Sequence, residues 1–153
     1  MSTTVPPTAG TAATVRLAAV RTAALSADEV LTAVGHPAAG GTAVFVGTVR
    51  DHDAGRGVSA LSYSAHPLAE TRIREIAERL AAEVPDILAV AALHRVGDLV
   101  VGDAAIAVAV ATAHRAPAFD ACRELVERIK HQVPIWKHQT YTDGDRDWVN
   151  CTH

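Results

Sequence analysis

The sequence predicts an α+β fold, a mixed or antiparallel sheet with two long helices packed on it. Three observations lead there. Two stretches, 67–84 and 117–133, repeat apolar residues at spacings of three and four, the period of a helix with one buried face. Several shorter stretches alternate in polarity or run apolar without a break, as strands do. The strands come in hairpin-like pairs between the helices, in the order ββ-α-β-β-α-β, and not in the strict alternation of a parallel doubly wound sheet.

The chain has 153 residues, about the size of one domain, so one core is expected over residues 14–153. Apolar residues make up 49% of it and aromatics 4%, so Ala and Val must fill the core and its elements must approach closely. The net charge of −3 argues against general nucleic-acid affinity, which needs a basic face. The sequence has no run of about 18 apolar residues, so no membrane span is expected. The N-terminus lacks the charged-then-apolar pattern of an export signal, and the cytoplasm is the default compartment.

Residues 1–13, MSTTVPPTAGTAA, carry no periodicity and read as a disordered arm. Thr14 to Thr22 alternates Val15, Leu17 and Ala19 against Arg16 and Arg21, a first strand. Ser26-Ala-Asp-Glu29 is a capping-box pattern for a short helix from Ala27 to about Val34. Thr42 to Arg50 is strongly β-prone, and Gly47 inside it suggests a bulge or a close backbone approach. Val58 to Ala65 alternates again. These two strands should form a hairpin, with the polar, mobile loop Asp51 to Gly57 at its tip.

Pro67 suits a first helical turn, and Ile73, Ile76, Leu80 and Val84 mark the buried face of the helix that follows. Ile87 to Leu93 is a further strand. Two Gly-Asp steps between His94 and Asp103 predict tight turns around a short strand. Ala104 to Ala113 is apolar on both faces and belongs in the middle of a sheet. Pro117 opens the second long helix, with Phe119, Cys122, Val126, Ile129 and Val133 as its buried face. After Pro134, IWKHQTY alternates as a strand, followed by a turn at Asp143-Gly144-Asp145 and a last strand at Trp148-Val149.

The two cysteines, Cys122 and Cys151, show no metal-site spacing. Cys122 reads as a small core residue and Cys151 as an unpaired tail thiol. No P-loop, GxGxxG, HExxH or Ser-His-Asp arrangement is evident, so neither a metal nor a cofactor is expected and chemistry must rest on Lys, Arg and His.

Those residues concentrate between His114 and Gln139, on an otherwise acidic chain. Lys130 projects roughly 20° from Phe119 and roughly 60° from the middle of the apolar stripe, on the shoulder of the buried face. It either snorkels to water or points into a pocket. On the next strand Ile135, Lys137 and Gln139 share one face, while Trp136 and His138 share the other. Lys137 is then either a gatekeeper on an edge strand or a second cation of the same pocket. His114-Arg115 stands at a helix N-terminus, where an anion is favoured; the alternative is a capping His beside a surface Arg. Arg50 ends its strand as a surface charge or a further cation for the pocket. His52 and Arg56 read as solvated loop residues.

Taken in order, Phe45-Val-Gly-Thr-Val-Arg50-Asp-His, Leu61-Ser-Tyr63, the stretch from His94 to Asp103, Ala113-His-Arg115-Ala-Pro-Ala-Phe119, Lys130 and Pro134-Ile-Trp-Lys137 resemble the large, catalytic subunit of molybdopterin synthase. Each motif alone is weak, but together they cover about residues 40–149. The resemblance implies a fold of the α/β-hammerhead type and a homodimer. It also implies a small ubiquitin-like sulfur-carrier partner on each protomer, making a heterotetramer. The partner's C-terminal Gly-Gly thiocarboxylate would deliver sulfur to cyclic pyranopterin monophosphate, and two transfers make the dithiolene of molybdopterin.

By the same resemblance Lys130 and Lys137 are the catalytic lysines. Thr48, Val49, Arg50, His114 and Arg115 contact substrate with them, the His-Arg pair across the dimer interface, and Phe45 walls the pocket. His138 and Gln139 are counted with Lys137 as substrate-binding positions, although alternation sets His138 on the opposite face and marks it, like His131, as a bystander. One departure stands out: the family commonly has Glu where this chain has Gln139, and an amide cannot act as a base or pair with a cation. The competing expectation is a non-catalytic module that binds a ubiquitin-like tail or an anionic ligand. Two lysines on one pocket count against it, because binding alone favours Arg.

Overall fold

The computed structural model describes residues 14–150, so the N-terminal arm and Cys151 lie outside the described residues. The elements run β1 (Val15–Arg21), α1 (Ala27–Ala33), β2 (Gly41–Thr48), β3 (His52–Asp53), β4 (Arg56–Ala65), α2 (Ala69–Glu83), β5 (Ile87–Arg95), β6 (Gly97–Val100), β7 (Ala104–Thr112), α3 (Arg115–Gln132), β8 (Ile135–Tyr141) and β9 (Arg146–Asn150). The fold class is the α+β expected, but the strands form two sheets and not one. The first has the order β1-β5-β7-β2. In the second, β4 is flanked by β8, with β9 beyond it, and on its other edge by β3 and β6.

β7 explains the first sheet. Apart from its first residue it is buried throughout, and a strand apolar on both faces needs a neighbour on each edge. β5 pairs with one edge from Ile87↔Thr112 to His94↔Ile106, and β2 with the other from Gly41↔Thr112 to Thr48↔Ala104, both antiparallel. Its two faces differ. Ile106, Val108 and Val110, with Val90 and Ala92 of β5, meet the long helices. Ala107, Ala109 and Ala111, with Ala89, Ala91 and Leu93, meet Val30 and Val34 of α1. The bulky face carries the larger helices and the alanine face lets the short one approach closely.

This demand on β2 overturns the expected hairpin between Thr42–Arg50 and Val58–Ala65. β2 is taken by β7, while β4 joins the second sheet and pairs with β8 from Ala65↔Ile135 to Val58↔Tyr141. The crossing is held at Val49, whose N–H donates to the Asp103 carbonyl while its own carbonyl accepts from Gly102. Gly47 fits both of its expected roles. The register with β7 shifts between Gly47 and Thr48, and a Cβ at Gly47 would lie 2.7 Å from Cγ2 of Ile106.

The helix starts differ in detail. Ser26 precedes α1 with an extended backbone but makes no side-chain cap, and the Glu29 side chain, the other half of the expected capping box, pairs with Arg21 at 2.5 Å. α2 begins at Ala69, two residues after Pro67, with His66 Nδ1 accepting from the Leu68 N–H. α3 begins at Arg115, with Pro117 inside its first turn. Its buried residues are Ala118, Ala121, Cys122, Leu125, Val126 and Ile129, whereas Phe119 is 68% exposed. The expected stripe was right in period and wrong at Phe119, which lies beyond its edge. Arg128 ties α3 to α2 through Glu83 (2.7 Å) and back along its own helix to Glu124 (2.9 Å).

Candidate functional site

A cleft of about 380 Å³ opens where the end of β2 and the C-terminal half of α3 meet the second sheet. Its lining includes Phe45, Thr48, Val49 and Arg50 from the β2 end and Lys130 from α3. Lys137 and Gln139 come from β8, Leu61 and Tyr63 from β4, and His52 and Asp53 from β3. A second hollow of about 350 Å³ between α2 and α3 also carries arginines. Its Arg128, however, is held by Glu83 and Glu124, so it lacks the convergence of cations that marks the first.

Each cation reaches the cleft for a local reason. Lys130 and Phe119 are eleven residues apart and so project in nearly the same direction from α3. Phe119 is nevertheless exposed and Lys130 partly buried. Lys130 lines a cleft whose other wall carries Leu61, Tyr63 and Lys137 of the second sheet, which makes it a pocket residue and not a snorkelling one. On β8 the alternation falls as expected: Ile135 and Gln139 are buried, Lys137 is partly buried on their face, and Trp136 is exposed. Lys137 lies opposite Tyr63 across the β4–β8 pair. Arg50 follows β2 and places its guanidinium 3.4 Å from Asp53.

Beneath the cleft stands His94, 4% exposed, with its ring edge-on to Tyr63 at 5.0 Å between centroids. Its Nδ1 lies 2.8 Å from the Arg95 carbonyl oxygen. A carbonyl only accepts, so Nδ1 carries the ring proton and Nε2 is bare in the neutral ring. Burial pushes the His94 pKa down to about 4, with Lys130 lowering it further and the Arg95 carbonyl opposing. The ring is therefore neutral at physiological pH and adds no positive charge under the lysines.

The other residues read from the sequence fall elsewhere. His114 and Arg115 open α3, and the fifteen residues from Arg115 to Lys130 span about 22 Å of helix. Within one chain they do not share the cleft. His114 is 83% exposed, its N–H donates to Asp86 Oδ2 at 3.0 Å, and its ring nitrogen lies 3.4 Å from the other oxygen. His138 faces away from Lys137, its ring 4.6 Å from that of Trp148, so it is not a cleft residue. His131 Nδ1 donates back to the Glu127 carbonyl on the helix surface. Cys122 is buried, and burial raises its thiol pKa.

The polar loop also departs from expectation. Asp51 to Gly57 contains a small hairpin, His52↔Gly57 and Asp53↔Arg56, turning through Ala54 and Gly55 at φ 49° and 80°. Arg56 is not a merely solvated side chain. It reaches Asp143 and Asp145 at 2.9 and 3.2 Å and lies 3.7 Å above the Tyr141 ring. Sequence reasoning misses Asp53, which sits in the cleft beside Arg50. Reading Ala54-Gly55 as a two-residue turn would have found it.

Among the described residues no group of three or more His, Cys, Asp or Glu converges as a metal site. No described helix is long and apolar enough to cross a membrane. The arrangement is an α+β scaffold with cations from a helix and two strands gathered on one concave surface, a charge pattern that suits an anion.

The family model described as MoaE protein matches residues 20–132. Molybdopterin synthase catalytic subunit 1 of Mycobacterium tuberculosis is 43% identical over 125 residues, covering 82% of this chain and 84% of that protein. The crystal structure of molybdopterin synthase from Staphylococcus aureus superposes with a TM-score of 0.80 at 29% identity, covering 86% of this chain and 95% of that one. A protein–protein complex of subunits 1 and 2 of molybdopterin-converting factor from Helicobacter pylori shares the fold, with a TM-score of 0.65 at 23% identity over 88% of each chain. The chain belongs to the MoaE family.

Proposed function

We propose that this chain is the catalytic subunit of a molybdopterin synthase. It moves sulfur from the thiocarboxylate of a small ubiquitin-like carrier to cyclic pyranopterin monophosphate, forming the dithiolene of molybdopterin in the cytoplasm. The observation that carries this reading is the convergence of Lys130, Lys137 and Arg50 on one cleft in a member of the MoaE family. Both reactants are anions, one a phosphate ester and the other a thiocarboxylate. The cleft offers each a cation, while Phe45, Val49 and Leu61 supply apolar wall.

Lys130, half enclosed at the helix end, organises the thiocarboxylate and moves protons during sulfur attack and opening of the phosphate ring. Lys137 stabilises the developing negative charge, and Arg50 with Thr48 holds the phosphate. His114 and Arg115, about 22 Å along α3 from Lys130, serve the cleft of a second copy of the chain, which fits a homodimer carrying one sulfur-carrier subunit per protomer. The Helicobacter pylori complex of two converting-factor subunits supports a partner of that kind.

Lys130→Ala is the direct test. Supplied with thiocarboxylated carrier and pterin precursor, this variant should lose at least about a thousandfold in molybdopterin formation. Carrier binding and melting temperature should stay near wild type. Wild-type turnover by the variant removes Lys130 from the chemistry. No product from the wild-type chain with a verified carrier favours a module that only binds the carrier tail or an anion.

A further inference from the structure

Among the described residues lining the cleft, Asp53 alone is acidic. Its two oxygens are held by different partners. Oδ2 accepts from Gln139 Nε2 at 2.7 Å, and Oδ1 lies 3.4 Å from Arg50 Nη2. Gln139 is 2% exposed. A carboxylate only accepts, so the amide nitrogen must face Asp53, and the buried side chain has little freedom to turn elsewhere. Its nitrogen is also 3.5 Å from the Tyr141 hydroxyl.

This contact joins two separate pieces of structure, because Asp53 belongs to the small hairpin and Gln139 to the middle of β8. The hairpin turns through Ala54 at φ 49°, a left-handed conformation that a residue with a Cβ holds where surrounding contacts fix it. One such contact is on its far strand, where Arg56 lies over Tyr141 and pairs with Asp143 and Asp145. The other is Asp53 on Gln139. Beyond Asp53 stands Arg50, whose guanidinium can bond Asp53 through one N–H and present its remaining donors to an anion.

We propose that Gln139 and Asp53 form a latch that seats the 52–57 hairpin on β8 and, through Asp53, aims Arg50 at the substrate phosphate. Both are positioning residues for the reaction. The proposal rests on the function given above and adds to it a reason for an amide at 139. A carboxylate there would stand at hydrogen-bond distance from Asp53 with no proton between them, and the pair would repel unless one took up a proton.

The test uses the full chain with its thiocarboxylated carrier, comparing wild type, Gln139→Glu, and the double variant Asp53→Asn with Gln139→Glu. The double variant exchanges amide and carboxylate and so rebuilds the bond in reverse. Above neutral pH, Gln139→Glu should raise KM for the pterin about tenfold with little change in kcat. Amide exchange in residues 52–57 should quicken. Both effects should fade on acidification, as a shared proton restores the contact. The double variant should recover slow exchange at every pH and a KM within about threefold of wild type. Wild-type KM and exchange in Gln139→Glu above neutral pH, or a double variant no better than the single one, overturn the latch. Exchange needs no turnover, so the latch is decided even if the wild-type chain makes no molybdopterin.

Discussion

The two ends of α3 carry equivalent-looking residues and do different things. At its start His114 and Arg115 are exposed, with the His114 N–H resting on Asp86. Near its end Lys130 is partly enclosed, with Tyr63 and Lys137 of the second sheet across the cleft and the neutral His94 close by. Sequence proximity made one cluster of these cations, but helix geometry separates them by about 22 Å. A basic stretch of sequence is therefore not a basic site. What makes a cation part of a site is the element that covers it, and at the start of α3 the described chain leaves His114 and Arg115 exposed.

The largest effect expected at the start of α3 tests that difference directly. Arg115→Ala should lower molybdopterin synthesis about a hundredfold, as should any change that disables one half of a shared site. If the pair serves the cleft of a partner copy, mixing Arg115→Ala with Lys130→Ala protomers should recover about one quarter of wild-type activity, since half the dimers would hold one intact cleft. No recovery after verified subunit exchange would place both residues in the service of one chain and break the comparison.

A smaller effect belongs to the Lys130 end alone. Because burial pushes His94 down to about 4, the unfolded chain takes up a proton below its ordinary value near 6.5 while the folded chain does not. The stabilisation is complete above that value and is lost as pH falls toward 4, amounting to about 3 kcal/mol at the lower limit. Urea titrations across this range should show the slope, and His94→Asn, which keeps a donor for the Arg95 carbonyl, should flatten it. An unchanged slope would mean that other groups control acid stability.

The smallest effect belongs to the other end. Asp86→Ala removes the acceptor of the His114 N–H and should cost about 1 kcal/mol, seen as a fall of a few degrees in melting temperature. With no change in melting temperature, Asp86 would not be holding the start of α3.

Much of the scaffold was legible in the sequence. The apolar run at 104–113 marked the central strand, the three-and-four spacing marked both long helices, and alternation after Pro134 put Lys137 and Gln139 on one face, which the structure turns inward. These are local periodicities, and burial imposes them residue by residue. Pairing was less legible. That β2 joins β7 and not β4 depends on which edge of β7 is vacant, a property of the assembled sheet. Phe119 was misplaced because its exposure is set by the absence of a covering element. The Ala54-Gly55 turn could have placed Asp53 beside Arg50, but its bond to Gln139, 86 positions away in the chain, has no local signal.

The place of β7 in the first sheet also governs the order in which the protein can form. β1 pairs with β5, from Val15↔Val90 to Arg21↔Arg95, and among the described residues β2 pairs in that sheet with β7 alone. As the ribosome releases the chain from its N-terminus, β2 leaves with an unpaired backbone edge and waits until residues 104–112 have emerged. Pairings this distant in sequence fold slowly, and an apolar strand without its partner is a template for other chains. Production in a host should therefore depend on slow translation or on chaperones that shield β2, even though the finished sheet leaves β7 fully enclosed.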